Sequence, residues 1–189
     1  MARQDAAGGQ HAVIRCGLEH LEAIRGIYNH EIVHTTALYE YEPRSVATIV
    51  SWWDAKQAAG LPVLGIECEP GVLAGFATWG PFRPFPAYGS TVEHSVYVDV
   101  RFRGRGVGRT LLAALVAEAR ERDLHTLVGV IDVENAASIA LHRRIGFACC
   151  GTVREAGRKF GRWLDVGYWQ LIFPAGAPEN GTRIDKPGA

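Results

Sequence analysis

A short run of alternating arginines and glycines has the residue types of a phosphate site. Residues 103–109 read Arg-Gly-Arg-Gly-Val-Gly-Arg. Glycine lets the backbone approach a ligand closely, and the first turn of a helix offers unpaired N–H groups and a positive dipole end. Arginine side chains add charge and paired hydrogen bonds to phosphate oxygens. The run therefore predicts a phosphate-binding loop made of Arg103, Gly104, Arg105, Gly106, Val107, Gly108 and Arg109.

The spacing of the glycines narrows the kind of phosphate ligand. The string Gly-x-x-x-x-Gly-Lys-Ser/Thr of a nucleoside-triphosphate loop does not occur in the chain. The dinucleotide fingerprint Gly-x-Gly-x-x-Gly fails because position 109 is arginine. Arg103, Gly106 and Gly108 instead spell Arg-x-x-Gly-x-Gly. On this string alone, a solvated basic turn before an ordinary helix is the alternative.

The elements on either side of the run must position it. Residues 91–100 are rich in β-branched and aromatic side chains and predict a strand. Residues 104–122 carry an apolar stripe at helical spacing, and residues 126–131 predict a second strand. Because a strand–helix–strand unit needs a crossover connection, part of the sheet should be parallel.

Further helices and strands are expected around this unit, in the order ααβββαβαββ of an α/β (α+β) fold. The other predicted helices cover residues 18–32, a segment that follows Pro43 with Ser45 near its start, and residues 136–145. The other predicted strands cover residues 62–67, 72–79, 148–154 and 164–173. Loops are predicted at residues 80–89 and 159–165.

A second motif lies downstream of the arginine-glycine run. Asn135 opens the predicted helix that ends at Gly146-Phe147, and asparagine is a common helix N-cap. Together with the Arg-x-x-Gly-x-Gly loop and the strand before it, this segment resembles the GCN5-related N-acetyltransferase (GNAT) superfamily. The resemblance covers roughly residues 12–173. It implies a mixed central β-sheet flanked by helices and splayed between two parallel strands, with acetyl-coenzyme A (acetyl-CoA) as co-substrate and no metal.

The resemblance also implies which residues contact the co-substrate. In the family, the pantetheine arm pairs with backbone groups of the strand that here contains Val96, Tyr97 and Val98. An exposed strand edge suits a ligand that carries amides of its own. Asn135 and Ser138 are implied as further contacts, and Asn135 can cap its helix and still touch the ligand.

Four strings are most similar to the phosphinothricin and methionine sulfone/sulfoximine acetyltransferase group. They are Ile27–His30 (IYNH), Gly80–Phe85 (GPFRPF), Thr91–Val98 (TVEHSVYV) and Lys159–Asp165 (KFGRWLD). The last two strings are long and unusual, so they have the greatest weight. Phe82 departs from the tryptophan that sulfone-acting relatives often have. The group implies a homodimer, with the last string near both the active site and the subunit contact.

Acetyl transfer to an amine needs a base for the ammonium proton and a donor for the leaving thiolate. Glu93 is the candidate base, directly or through a water, and burial among aromatic residues would raise its pKa from about 4.3. The alternative is that Glu93 only binds the substrate ammonium.

His142 stands where many superfamily members have a tyrosine that hydrogen-bonds the leaving sulfur, and imidazole can supply that donor. A half-buried structural histidine is the alternative.

The proline-rich loop at residues 80–89 contains candidate substrate contacts. The planar guanidinium of Arg83 suits a two-point contact with an α-carboxylate, whereas an exposed loop arginine is the alternative. Arg83 for the carboxylate and Glu93 for the amine would recognise a free amino acid. Strand alternation places His94 on the opposite face from Glu93, so we do not expect it to be catalytic. The predicted substrate-binding residues are Phe82, Arg83, Pro84, Glu93, His94 and Ser95.

Composition limits the remaining classes of function. The 189 residues include 20 Lys plus Arg and 20 Asp plus Glu. Zero net charge counts against a nucleic-acid module, and the longest apolar run, Leu111–Ala117, is too short to cross a membrane. Four cysteines without metal-ligand spacing favour a reduced, cytoplasmic protein.

We expect a flexible N-terminus at residues 1–12, a single GNAT domain at 13–173 and a disordered tail at 174–189.

The predicted function is transfer of acetyl from acetyl-CoA to the α-amino group of a small amino-acid analogue by direct attack. The analogue is of the phosphinothricin, methionine sulfoximine or methionine sulfone type. The same chemistry on a protein N-terminus or another amine is the alternative, and a non-catalytic binder of coenzyme A is a third possibility. The predicted partners are the small substrate and a second copy of the chain, with no nucleic acid and no membrane.

Overall fold

The computed structural model describes residues 12–174, so residues 1–11 and 175–189 of the expected tails lie outside it. The described residues form one seven-stranded sheet in the order β1-β2-β3-β4-β5-β7-β6, flanked by four α-helices. The strands are β1 (Val13–Arg15), β2 (Val63–Glu69), β3 (Val72–Pro81), β4 (Thr91–Val98), β5 (Thr126–Asp132), β6 (Ala148–Lys159) and β7 (Arg162–Ile172). The helices are α1 (Leu21–His34), α2 (Val46–Ala58), α3 (Val107–Glu121) and α4 (Ala136–Ile145).

The sheet is mixed and opens at its centre. Strands β4 and β5 are parallel, as the strand–helix–strand unit predicts, but they pair only over residues 91–93 and 126–128. Beyond these residues β4 stays paired with β3 as far as Val98, and β5 stays paired with β7 as far as Asp132. The two strands therefore separate into a wedge, and each turns an unpaired backbone edge toward it.

Local capping signals fix the ends of two of the helices. The Ser45 side chain accepts a hydrogen bond from the Thr48 N–H at the start of α2. The Asn135 side chain accepts one from the Ser138 N–H at the start of α4, at 3.0 Å. Helix α4 ends at Gly146, whose φ of 106° is readily adopted only by glycine. These ends agree with the sequence prediction.

Two apolar clusters cover the two faces of the sheet. On one face, the stripe of α3 that includes Leu111, Leu112 and Leu115 is fully buried against the strands. On the other face, α1 and α2 cover an aromatic group in which the Phe76 ring lies 4.9 Å from that of Tyr28 and 5.4 Å from that of Tyr97. Side chains of β4 alternate between these faces, so Tyr97 points toward α1 and the residues beside it point toward α3.

The structure corrects the sequence prediction at the N-terminus and in the last hairpin. Strand β1 was not predicted, because three residues are too few to show an alternating pattern. Residues 18–20 form a 3₁₀ turn, so α1 begins later than expected. The predicted loop at residues 159–165 is wrong: β6 and β7 extend almost to each other and are joined by Phe160 and Gly161. Both residues have positive φ, at 50° and 77°, which is typical of a two-residue hairpin turn.

The cysteines are all free in the described part of the chain, which contains the four of them. Cys16 is buried, and burial raises the pKa of its thiol to about 12. Cys149 and Cys150 are exposed on the edge strand β6. Among residues 12–174, no helix is long and apolar enough to cross a membrane.

Candidate functional site

A cavity of about 860 Å³ opens where β4 and β5 separate. Its walls come from these two strands, the N-terminal ends of α3 and α4, and the C-terminal end of α1 with the loop that follows it. The predicted co-substrate residues that line it are Val96, Tyr97, Val98, Arg103, Gly104, Gly106, Val107, Gly108, Arg109, Asn135 and Ser138. Arg105 does not line it, and its guanidinium lies over the Phe102 ring instead.

The glycine loop before α3 is built by backbone conformation. Gly104 and Gly106 have φ of 75° and 85°, in the left-handed region that glycine adopts without strain. A Cβ atom at either position would meet nothing within 4 Å, so open space lies against the backbone. Gly106 caps α3 without a side chain, which leaves the first N–H groups of that helix open to the cavity. The loop can therefore receive an anion against bare backbone.

Arg103 ties this loop to α1. Its guanidinium forms an ion pair with Glu31 and donates from Nε to the Val98 carbonyl at 3.2 Å. Glu31 is only 4% exposed, and it also accepts a hydrogen bond from the Thr35 hydroxyl at 2.9 Å. Arg103 thus joins the loop, the end of β4 and the end of α1. Direct contact of its side chain with phosphate stays a prediction.

His94 and His142 form a buried pair in the cavity wall. Nδ1 of His142 lies 2.7 Å from the Ser138 carbonyl oxygen, so this nitrogen carries the proton. Nε2 of His142 then accepts a hydrogen bond from Nε2 of His94 at 2.9 Å. Burial lowers the pKa of both rings, to about 3 for His94. Both histidines are therefore neutral at pH 7.

The histidine pair requires a glycine in β5, and one of its ring nitrogens has no hydrogen-bond partner. A Cβ atom at Gly129 would stand 2.9 Å from the His94 ring and 3.2 Å from Nε2 of His142. Within residues 12–174, Nδ1 of His94 is buried without a hydrogen-bond partner. Both ring nitrogens of His142 are engaged, so the predicted hydrogen bond to a leaving sulfur requires His142 to change partner.

Glu93 lies on the other face of β4 and beside the proline-rich loop. Burial raises the pKa of its carboxyl, while the positive charge of Arg83 acts in the opposite direction. Arg83 is exposed, stacks over the Phe82 ring and donates to the Phe82 carbonyl at 2.7 Å. Two aromatic residues of this loop, Phe85 and Tyr88, are exposed, so they contribute less to the burial of Glu93 than expected.

The predicted substrate residues therefore divide into two groups. His94 and Ser95 line the cavity. Phe82, Arg83, Pro84 and Glu93 lie outside its lining. Ser95 is two residues from Glu93 on the same face of β4, so Glu93 borders the cavity without forming its wall.

The loop after α1 is fixed from a distant part of the chain. The Lys159 ammonium donates to the carbonyl oxygens of Thr35 and Leu38, at 2.8 and 2.5 Å. Lys159 is 4% exposed, and burial lowers its pKa, while the charges of Glu40 and Glu31 oppose this. Residues 35–37, which this contact holds in place, line the cavity.

Several residues of the cavity were missed by the sequence analysis. They include Glu31, Thr35, Gly129 and Asp132. Each lies outside the motif strings or acts through a contact that sequence spacing does not show. Among the described residues, no group of three or more histidine, cysteine, aspartate or glutamate side chains could bind a metal ion.

Comparisons with known proteins agree on one family. Residues 24–147 match the model of the acetyltransferase (GNAT) family. Over 155 residues, 82% of this chain and 90% of the relative, the sequence is 44% identical to the L-methionine sulfoximine/L-methionine sulfone acetyltransferase of Pseudomonas paraeruginosa. It is 36% identical over 166 residues to the phosphinothricin N-acetyltransferase of Streptomyces coelicolor, covering 86% and 97% of the two chains.

A solved structure extends the likeness to three dimensions. It is a GNAT superfamily phosphinothricin acetyltransferase from Sinorhizobium meliloti in complex with acetyl-CoA. The two structures superpose with a TM-score of 0.85 at 30% sequence identity, and the match covers 94% of this chain and 96% of the other.

Proposed function

Because the chain belongs to the acetyltransferase (GNAT) family, we propose that it transfers acetyl from acetyl-CoA to the α-amino group of a small amino-acid analogue. The analogue is of the methionine sulfoximine, methionine sulfone or phosphinothricin type, which are the substrates named for the two relatives. The observation that carries the proposal is the wedge between β4 and β5. It brings an open strand edge and a glycine loop at a helix start to one cavity.

The cavity fits acetyl-CoA in two respects. The glycine loop offers backbone N–H groups with open space before them, which suits the pyrophosphate. The unpaired edge of β4 at residues 96–98 suits the amides of the pantetheine arm. Asn135, Ser138 and Arg109 line the same cavity and are further proposed contacts. When bound, acetyl-CoA supplies an acetyl group activated as a thioester.

Glu93 is the proposed base. A carboxylate with a raised pKa is better suited to take a proton from an ammonium group near neutral pH than a fully solvated one. Arg83 stands close enough to influence its titration and is the proposed partner of the substrate carboxylate. Glu93 can act directly or through a water, because it borders the cavity.

His142 remains the proposed donor to the leaving sulfur. Its Nε2 carries no proton while it accepts from His94. Donation therefore requires His142 to have its proton on Nε2 instead of Nδ1 and to direct this N–H toward the sulfur instead of His94. This makes His94 the positioning partner of His142, a role that its strand face alone did not predict.

A homodimer is part of the proposal. Strand β6 is an edge strand of twelve residues, most of them exposed, and long exposed edges are normally covered. Trp163 and Phe160 are exposed on the same hairpin, and Phe160 also lines the cavity. A second copy would cover this surface beside the site, and the mass of the protein in solution tests the proposed homodimer.

The free cysteines support a cytoplasmic location.

Thiol release from acetyl-CoA with a panel of amines tests the proposed reaction. The panel contains methionine sulfoximine, methionine sulfone, phosphinothricin, plain amino acids and a short peptide. We expect turnover to be strongest with the three tetrahedral analogues. Turnover with the peptide alone would instead support the action on a protein N-terminus.

A further inference from the structure

Asp132, at the end of β5, and Tyr39, in the loop after α1, each have a buried polar atom without a hydrogen-bond partner within residues 12–174. These atoms are Oδ2 of Asp132 and the hydroxyl of Tyr39. Asp132 is 5% exposed, and its other oxygen accepts from the Glu134 N–H at 2.8 Å. Buried donors and acceptors are nearly always partnered, so two such atoms in one region call for an explanation.

The two atoms are complementary, and the charge of Asp132 acts on the Tyr39 hydroxyl. Burial, together with the charges of Asp132 and Asp165, raises the pKa of Tyr39 to about 12, so its hydroxyl keeps its proton and can donate. Arg162, which pairs with Glu134 at 2.7 Å, is the cation that faces this group and acts in the opposite direction. Tyr39 can donate and Asp132 can accept, yet they are not bonded to each other. A group that joins them must accept from Tyr39 and donate to Asp132.

Asp132 lies on the same face of the sheet as Glu93, the proposed base. It lines the cavity and shares a face of β5 with Val128, whose register partner in β4 is Glu93. The histidine pair lies against the opposite face, at Gly129. Four residues separate Val128 from Asp132, which is about 13 Å along a strand. An acceptor bound at Glu93 therefore has Asp132 on the same face of the sheet, on the other strand that borders the cavity.

The known acceptors of the relatives differ in what they offer such a pair. A sulfoximine carries an oxygen and an N–H on the same sulfur. A sulfone carries two oxygens, and a phosphinate carries two oxygens and a negative charge. Only the sulfoximine both accepts and donates, whereas the other two would place an oxygen against the Asp132 carboxylate.

We propose that Asp132 and Tyr39 form a subsite for the sulfoximine head of the acceptor. Asp132 accepts from the imine N–H and Tyr39 donates to the oxygen, so the protein prefers methionine sulfoximine over methionine sulfone and phosphinothricin. Both atoms are covered in this structure, and the head reaches them by displacing Tyr39, whose ring packs against Gly157 of β6. That movement breaks no hydrogen bond of either atom. The inference rests on the proposed function.

The substitution Asp132→Asn tests the subsite. The amide keeps an oxygen for the Glu134 N–H and puts an NH₂ donor in place of Oδ2. The ratio of kcat/KM for methionine sulfoximine to that for methionine sulfone should fall about tenfold or more. Asp165→Asn is the matched control. It removes the same charge near Tyr39 but lies outside the cavity lining, so it should leave the ratio unchanged.

Tyr39→Phe gives a second, independent readout. It should lower kcat/KM for methionine sulfoximine about tenfold and leave kcat/KM for unmodified methionine, which has no polar head, unchanged. Parent protein that acetylates neither analogue would overturn the proposed function and the subsite together. Parent protein that acetylates both, with an unchanged ratio in Asp132→Asn, would overturn the subsite alone and assign the two atoms to a buried water.

Discussion

At the scale of single residues, the site is set by the burial of titratable groups. Burial lowers the pKa of His94 and His142 and raises that of Glu93. In each case burial disfavours the charged form. The neutral histidines can form a hydrogen bond between their Nε2 atoms. The pKa of the Glu93 carboxyl moves toward neutral pH, where a base is useful. The same change of environment thus prepares a base on one face of β4 and a hydrogen-bonded pair on the other.

The histidine pair predicts how stability depends on pH. An unfolded histidine titrates near 6.5, above the pKa of either folded ring, so the unfolded chain binds more protons as the pH falls below about 6.5. The stability from the neutral pair is therefore complete above that pH and is lost toward the folded pKa, about 3 for His94. We expect the free energy of unfolding to fall between pH 7 and pH 5, by up to about 1.4 kcal/mol per pH unit for each histidine, and Tm to fall with it. In His94→Gln the fall should be shallower, and parallel Tm curves for the two proteins would contradict this explanation.

Glu93→Gln tests the proposed base. Turnover at neutral pH should fall about 10²- to 10⁴-fold, because the amide cannot take a proton, while KM for acetyl-CoA stays the same. The acidic limb of the pH profile, which reports the raised pKa of Glu93, should disappear in the variant. Glu121→Gln, on the exposed end of α3, is the control and should match the parent. Unchanged turnover in Glu93→Gln would remove Glu93 from the reaction.

At the scale of elements, contacts between distant segments form the cavity wall. Lys159 of β6 joins the loop after α1 through two carbonyl groups, and Arg103 joins the loop before α3 to Glu31 of α1. The loop that closes one side of the cavity thus depends on the last hairpin. The position of this loop should therefore depend most on the Lys159 ammonium, which donates to both carbonyl groups.

Lys159→Met is expected to raise KM for the acceptor severalfold and to leave KM for acetyl-CoA unchanged. The substitution leaves the Thr35 and Leu38 carbonyls unpaired, which costs about 1–3 kcal/mol and frees residues 35–37 to move. Lys56→Met is the matched control, because Lys56 is a half-buried lysine that donates to the Trp79 carbonyl at 2.5 Å. Equal changes of KM in both variants would mean that the effect is general destabilisation.

A substitution in the glycine loop before α3 tests its proposed role in binding acetyl-CoA. Gly106→Ala places a side chain in the left-handed region and into the open space before α3, so Kd for acetyl-CoA should rise about tenfold or more. Gly60→Ala is the matched control, since Gly60 also has positive φ and free space around it but lies outside the cavity lining. Both should lose about 1 kcal/mol of stability. Binding that is weakened equally in the two variants would contradict the loop assignment.

How far the sequence predicts this structure depends on how local each feature is. The cap at Asn135 and the stripe of α3 follow from neighbouring residues, and both predictions are confirmed. The turn at Phe160 was missed because phenylalanine rarely adopts positive φ. The contacts of Lys159 with Thr35 and of Arg103 with Glu31 span more than 70 residues, and spacing along the chain carries no signal for them.

At the scale of the whole molecule, the sheet consists of two parts, β1 to β4 and β5 to β7. Among residues 12–174, the short parallel pairing of residues 91–93 with 126–128 is the one strand pairing that joins them. A ligand that hydrogen-bonds the free edge of β4 would add to this connection. Backbone amides of residues 96–98 should then exchange with deuterium more slowly when acetyl-CoA is present, and Tm should rise with its concentration. Unchanged exchange at these amides would contradict the pairing of the pantetheine arm with β4.

The short junction gives the molecule the mechanics of a hinge. Only a few backbone hydrogen bonds at one end resist opening of the two halves within the sheet, and the far ends of β4 and β5 are free of each other. The apolar cluster under α3 contains residues of both halves, such as Val92 of β4 and Ile131 of β5, so its packing limits how far the halves rotate about this junction. The breadth of the opening therefore depends on that one cluster together with the few hydrogen bonds of the junction.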